Sequence, residues 1–550
     1  MHPITRHPRL LVKTASAPER AKLSFGPARF EVRVGPLFGA AKAAREHEGA
    51  ARPKWHSVKA LAADDEVNAW DLCHHLVRNG FGVEGLDAPV FAEPDIKQRW
   101  VFAPESQHLR RLAKPCGEVE PPDSRLPSGS GYYWFSDSSH AQLAQAREDV
   151  GEPASDRVCI AHFDTGYAPL RHCTQPRHLR TDLQKNFVDD NLPDDARDIT
   201  TGPFTNLGHG TGTLGILAGD MVEGVPLGGA AYLDVIPIRV ANSVVLFWNS
   251  AIAQAFQYVY ELSTEEGIPV HVITMSMGGV ASQAWADAVN ALYDLGVFIV
   301  TAAGNNFGHL PINNIVYPAR FNRVVAACGV MADDRPYADL PLDIMAGNYG
   351  PDDKMETAMS AFTPNTPWAR IGCSCTVDHN GAGTSSSTPQ IAAAAALWIQ
   401  KYRRQWEGYS QGWMRAEAVR KALFDSALKD GGGVSKRLGQ GMLRAEDALR
   451  QLPASEADLQ KQPEDEPGLP LFRPADIPAT ESSEMVTRML ELEALQLSQQ
   501  SHELERLLRG RADEPRRLLQ ARRQFMEALA SAPGASLALR GAVERKLAAR

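Results

Sequence analysis

The sequence predicts an α/β protein: a mostly parallel sheet covered by helices on both faces, preceded by a small α+β domain and followed by a helical C-terminal tail. Three observations carry this. Between residues 157 and 452, short continuous apolar runs alternate with helical stretches of about 12 residues, the pattern of a parallel sheet buried on both sides. Before residue 112, β-like runs surround one amphipathic helix. After residue 483, Met and Leu recur at helical spacing among Glu and Gln.

Composition sets the class. The chain has 550 residues and a mass of 60.0 kDa, with 44% hydrophobic and 22% charged residues and ordinary numbers of Gly (44) and Pro (37). Disordered, collagenous and membrane classes are thereby disfavoured, and no stretch approaches 18 apolar residues. A net charge of −9 and a pI near 6.0 offer no general attraction for nucleic acid or anionic lipid, so neither is expected as a partner. The basic start of the chain is followed by only three apolar residues, too few for a signal-peptide core, and a cytoplasmic protein is expected. The seven Cys form neither a disulfide framework nor paired C-x-x-C knuckles, which predicts reduced, mostly buried thiols.

In chain order, residues 1–112 form the N-terminal unit. Arg29–Val34 reads as a strand, Asp65–Arg78 as a helix ended by Asn79-Gly80, and Pro89–Glu93 and Arg99–Phe102 as strands. Residues 113–156, rich in Pro, Gly, Ser and aromatics, read as a connector. The core, 157–452, contains strands at Val158–Phe163, Val235–Val240, Val270–Met275, Val297–Val300 and Val324–Cys328. Its helices are expected at Ala251–Leu262 and Ala284–Leu295. Residues 453–482 are acidic and Pro-rich, a linker. In 483–550, Met485, Met489, Leu490, Leu492, Leu495, Leu497 and Leu504 make an apolar stripe, followed by a second helix at Pro515–Leu529. Such a stripe must be covered: packing on its own chain is the first expectation, helix-mediated self-association or recruitment the second.

Three segments place a reactive side chain where an apolar element meets Gly, Thr or Ser. Asp164-Thr165-Gly166 ends a buried strand; a carboxylate there can take hydrogen bonds from the turn, though an Asp capping its own turn is the commoner role. His209 opens a helix containing Gly210, Gly212 and Gly215. Each Gly costs about 1 kcal/mol relative to Ala in a helix interior, so something must require small residues there. The run Gly383-Thr384-Ser385-Ser386-Ser387-Thr388-Pro389 enters a nearly all-apolar helix, whose N-terminal N–H groups suit a nucleophile that generates an oxyanion. Standing alone, it reads equally well as a simple N-cap.

Together, Asp…His…Ser is one of the three chain orders of the hydrolase triad. Asp164-Thr-Gly166, Gly208-His209-Gly-Thr211 and Gly383-Thr-Ser385-x-x-Thr388-Pro389, spaced by 45 and 176 residues, resemble the three motifs of the subtilisin-like serine proteases. Ser276-Met277-Gly278-Gly279 resembles the edge on which the family's substrates pair. Ala302-Ala303-Gly304-Asn305 resembles the segment supplying the oxyanion-hole amide. The resemblance implies a serine endopeptidase acting on polypeptides through an acyl-enzyme. Ser385 would be nucleophile, His209 general base, Asp164 its orienting carboxylate and Asn305 an oxyanion donor. Ser276, Met277, Gly278, Gly279, Ala302 and Gly304 would contact substrate. No cofactor is needed for chemistry. Structural calcium, common in the family, is unassigned, since Asp189-Asp190-Asn191 and Asp194-Asp195 read equally as solvated turns. His162, His172, His178 and Cys173 show no metal-ligand spacing, and His379 beside Asp378 reads as a supporting or surface residue. Val90–Asp95 is similar to the end of subtilase propeptides, which implies a zymogen whose N-terminal domain either blocks the cleft and is cut off or persists as a regulator. A peptide ligase on the same fold, or a catalytically silent scaffold, is the alternative.

Overall fold

The computed structural model describes residues 4–26, 28–37, 54–63, 66–99, 115–126, 130–199, 207–244, 246–306, 314–340, 345–431, 433–472, 484–508 and 515–548. Strands β1 (Arg9–Thr14), β2 (Arg20–Phe25), β3 (Ala28–Pro36) and β4 (Lys54–Ala63), helix α1 (Ala69–Asn79) and strand β5 (Phe91–Pro94) build the N-terminal unit. Its antiparallel sheet has the order β2-β3-β4-β1-β5, with α1 packed on it. The helix begins later than its apolar pattern suggests, because the Asn68 side chain accepts the N–H groups of Trp70 and Asp71 and sets the first turn there. Gly80 ends it, as expected. Strand β6 (Lys97–Arg99) follows; the remainder of the expected 99–102 strand lies outside the described residues.

The expected connector is part of the core. Trp134, Phe135 and the helix α2 (Leu143–Val150) bury Leu143 and Ala146 beneath the main sheet, and Trp134 Nε1 donates to the Asn365 carbonyl at 2.9 Å. That sheet is made of β7 (Cys159–Asp164), β8 (Lys185–Asn186), β9 (Asp234–Arg239), β11 (Val272–Met275), β12 (Phe298–Ala302), β13 (Val325–Val330) and β14 (Ala358–Phe362). The edge strand β10 (Leu246–Trp248) stands apart from it. The seven run in the order β8-β9-β7-β11-β12-β13-β14, every pair parallel. The longer helices that flank or follow these strands among the described residues are α3 (His209–Ala218), α4 (Asn249–Thr264), α5 (Gln283–Leu295), α6 (Thr384–Lys401) and α7 (Gly412–Ser426). One face of the sheet shares a continuous apolar core with the N-terminal unit; the other packs on α6, with Ile391 through Ile399 buried.

The acidic segment after residue 452 lies against the core. Asp465 is buried and accepts the backbone N–H groups of Asn322 and Arg323. The tail contains α8 (Glu484–Gln500), α9 (His502–Leu508), α10 (Pro515–Ser531) and a fourth helix, α11 (Leu537–Ala548). Its apolar stripe is covered by its own chain: Met489, Leu492 and Leu495 join the core beside Trp70 and Ala281, while Leu490 and Leu504 face α10 and α11.

The thiol expectation is overturned. Cys116 pairs with Cys373 and Cys173 with Cys375, across 257 and 202 residues of sequence; Cys73, Cys159 and Cys328 are free and buried. Both bridges seize one tip, that of the hairpin formed by β15 (Thr366–Ala369) and β16 (Val377–Gly381). Local spacing carries no trace of partners so remote.

Candidate active site

The site lies at the carboxyl ends of the parallel strands, where an open α/β sheet exposes its loops. Asp164, the last residue of β7, is fully buried. Its Oδ1 accepts His209 Nδ1–H at 2.7 Å and the Thr165 N–H at 2.7 Å; its Oδ2 accepts the Thr213 hydroxyl at 3.1 Å. Burial alone would push this carboxyl up, but His209, His162 and the turn amide outweigh it and hold it below the ordinary carboxylate range. It is therefore an anion facing an imidazole at neutral pH.

His209 opens α3, and the glycines behind it answer to contact. A Cβ on Gly210 would stand 2.1 Å from the Gly166 carbonyl oxygen, and one on Gly212 would stand 2.1 Å from the Trp368 ring. Trp368, on the disulfide-held hairpin, sets its ring edge-on to His209 with centroids 5.4 Å apart. A second carboxylate, Asp198, accepts the Gly208 N–H at 2.8 Å and the Thr165 hydroxyl at 2.9 Å, pinning the turn that delivers His209.

Ser385 lies in the first turn of α6. Its Oγ donates to the Ser276 carbonyl at 3.1 Å, and Ser276 Oγ donates back to the Ser385 carbonyl at 3.0 Å. Asn305 turns its side-chain carbonyl to the Thr384 N–H at 2.8 Å, which leaves Nδ2 beside Gly383. Gly383 has φ +78°, and a Cβ there would come within 2.8 Å of that Nδ2. Ala302 is buried at the end of β12, and the Gly304 N–H reaches Thr384 Oγ1 at 3.2 Å. On the expected substrate edge, Ser276 and Met277 are buried. Gly279 exchanges two backbone bonds with Tyr317, at 2.7 and 3.0 Å, so its part of that edge is already paired.

A model described as the subtilase family matches residues 155–441. The chain belongs to the subtilase family. Subtilisin DY of Bacillus licheniformis is 30% identical over 250 residues, covering 44% of this chain and 78% of that protein. An extracellular serine proteinase of Thermus sp. (strain Rt41A) is 28% identical over 199 residues, covering 36% and 42%. A solved structure of the protease domain of PatA is 21% identical with a TM-score of 0.42, covering 53% of this chain and 94% of that one. This subtilase is thus a serine protease, a hydrolase whose substrate is a polypeptide.

Other side chains of the subtilase that drew notice in the sequence do not converge. His172 bonds Thr174 and the Thr376 carbonyl, Cys173 is in a disulfide, and His178 faces Glu152. His379 stacks on Tyr132, while Asp378 pairs with Arg370. Asp194 and Asp195 are paired with Lys185 and Arg197, and Asp189 accepts from Asn191. Among the described residues no group of three or more His, Cys, Asp or Glu could hold a metal ion, and no helix is long and apolar enough to cross a membrane. Sequence reasoning passed over Thr213, Asp198 and Trp368. For Thr213 there was a signal, since it stands one helical turn beyond His209 on the same face.

Proposed function

We propose that this subtilase is an endopeptidase working through an acyl-enzyme on Ser385, with its N-terminal unit held over the site as an internal inhibitor. The observation that carries the first part is the 2.7 Å bond from His209 Nδ1–H to buried Asp164, with His209 Nε2 left without a hydrogen-bond partner among the described residues. The Ser385 hydroxyl turns from the Ser276 carbonyl to that nitrogen, gives up its proton and attacks the peptide carbonyl. Asp164 stabilises the imidazolium. Asn305 Nδ2 and the Ser385 N–H hold the oxyanion, His209 returns the proton to the leaving amine, and water then releases the acyl group by the reverse sequence.

The inhibitory reading rests on two carboxylates of the N-terminal unit. Glu93 is buried and accepts the Ser282 hydroxyl and the Gln283 and Ala284 N–H groups, capping α5 from outside; Asp95 accepts the Ser250 N–H and hydroxyl at the start of α4. Strand β6 then pairs antiparallel with β10, and the buried Gln98 carboxamide accepts the Val280 N–H just beyond the Ser276–Gly279 edge. In this reading the unit lies against the end of the edge along which an extended substrate would pair. The two disulfides further favour an oxidising compartment over the cytoplasmic one expected from the start of the chain.

The test is digestion of denatured casein by the wild-type chain beside Ser385→Ala, with the mass of each followed. Digestion and self-cleavage between residues 103 and 155 in wild type alone support both parts. Casein digestion by an uncut wild-type chain makes the unit a permanent module, and digestion by Ser385→Ala overturns the nucleophile.

A further inference from the structure

Behind the Asp164–His209 pair the structure places a second imidazole that the reaction scheme leaves idle. His162 stands two residues before Asp164 on β7, so both side chains leave the same face of the strand. It is only 2% exposed, and its Nε2 lies 2.8 Å from Thr213 Oγ1 and 3.8 Å from Asp164 Oδ2. Thr213 is fully buried too. Its one hydroxyl hydrogen has three acceptors within reach: Asp164 Oδ2 at 3.1 Å, and the helix carbonyls of Gly210 at 3.1 Å and His209 at 3.3 Å. Left to itself, a helical Thr bonds the carbonyl three or four residues back, and Asp164 Oδ2 would then lose its donor.

We propose that His162 is a positioning residue for the catalytic carboxylate: its Nε2–H donates to Thr213 Oγ1, and the Thr213 hydrogen is thereby committed to Asp164 Oδ2. The inference rests on the triad reading above. A donor arriving at the hydroxyl oxygen leaves that group to donate onward, and the anionic oxygen is the strongest of the three acceptors. The scheme needs a neutral imidazole. Burial supplies one, pushing His162 down to about 4 against the pull of Asp164. The carboxylate is then held at both oxygens, by the turn amide and His209 on Oδ1 and by the His162–Thr213 chain on Oδ2. The charged and titratable groups facing it are His162 on its own strand, His209 on α3, Asp198 behind Thr165, and Arg239 opposite it in the β9 register.

Removing the donor chain leaves the Asp164 charge less neutralised and more available to His209, so the imidazolium becomes easier to form. The experiment titrates His209 by NMR of ring-labelled histidine in full-length chains that all carry Ser385→Ala against self-digestion, with otherwise wild-type sequence or with Thr213→Val, Thr213→Ser or His162→Leu added. Thr213→Val keeps the branched shape of the side chain and puts a methyl group in place of the hydroxyl. It and His162→Leu are expected to raise the His209 midpoint by about half a pH unit, a threefold change in its proton affinity. The acidic limb of the pH–rate profile, measured with Ser385 in place, should move up with it, and Thr213→Ser should restore wild-type values. An unmoved His209 midpoint in folded Thr213→Val overturns the proposal, even if His162→Leu is unstable. The titration is read without turnover, so an inactive wild-type chain with a normal His209 response contradicts the protease mechanism and not this inference.

Discussion

Raising the pH loosens the N-terminal unit, and Glu93 sets the amount. Its carboxyl is completely buried in the docked arrangement, and burial, partly offset by the Ala284, Ser282 and Gln283 donors, pushes it from its ordinary value of 4.5 up to about 7. The sign follows from linkage. The docked state keeps the proton between pH 4.5 and 7 while the undocked state loses it, so docking is fully favoured below 4.5 and weakens as pH rises through 7. The gap is worth about 3 kcal/mol, roughly a hundredfold in the docking equilibrium. Asp95, also raised by burial, adds in the same direction. The assay is hydrogen exchange at the Ser250 and Val280 amides, which donate to Asp95 and Gln98 of the unit, in the inactive Ser385→Ala chain to prevent self-digestion. After correction for intrinsic exchange, protection should fall about a hundredfold from pH 5 to pH 8. Glu93→Gln, a neutral side chain that still offers a carbonyl to the α5 N-terminus, should keep most of its protection at pH 8. Protection independent of pH in Ser385→Ala, or an equal fall with Glu93→Gln added, refutes the reasoning.

Three further outcomes follow from geometry. Gly383→Ala drives a methyl into Asn305 Nδ2 at a positive φ, so kcat should fall by about 10²–10³, with a loss of about 1–3 kcal/mol of stability from the backbone strain; a wild-type kcat in the folded variant would remove Asn305 from the oxyanion site. Cys375→Ser opens the loop that its bridge closes beside the intact Cys116–Cys373 bridge, about 60 residues by way of that bridge, which chain entropy values at about 4 kcal/mol. Its melting temperature under non-reducing conditions should drop accordingly, and no drop would show that the bridge does not form. Leu492→Ala in α8 empties a fully buried position at the junction of the tail, α1 and the peptidase core. It should cost about 3 kcal/mol and free the N-terminal unit, read as lost protection at Ser250; unchanged protection would mean that the tail does not hold the unit down.

The parallel core and the junctions that hold Asp164, His209 and Ser385 were legible because both rest on short-range signals. Continuous apolar runs mark β7, β9, β11, β12 and β13, and Asp164, His209 and Ser385 each sit at a junction whose Gly, Thr and Ser residues serve no ordinary helix or strand. What was illegible depends on distant partners. The Pro- and Gly-rich stretch before residue 140 has the composition of a linker, yet Trp134 and Phe135 find their pocket against strands two hundred residues on. Cys373 and Cys375 pair with cysteines that no spacing rule connects to them. The stripe of α8 announced that it would be covered, but its cover, Trp70 and Ala281, comes from two separate parts of the fold: Trp70 Nε1 donates to Gln496 Oε1, and Gln496 Nε2 to the Ala281 carbonyl. The hairpin that sets Trp368 against His209 is the same kind of case, since a lone Trp near a Pro carries no address.

The central claim is that Ser385 is the nucleophile, and labelling tests it most directly. The wild-type chain, treated with a fluorophosphonate and digested for peptide mass mapping, should carry one label, on Ser385, with Ser386 and Ser387 unmodified. Label should be absent from Ser385→Ala and strongly reduced in His209→Ala. A label on Ser386 or Ser387, or undiminished labelling of Ser385→Ala, would contradict the account.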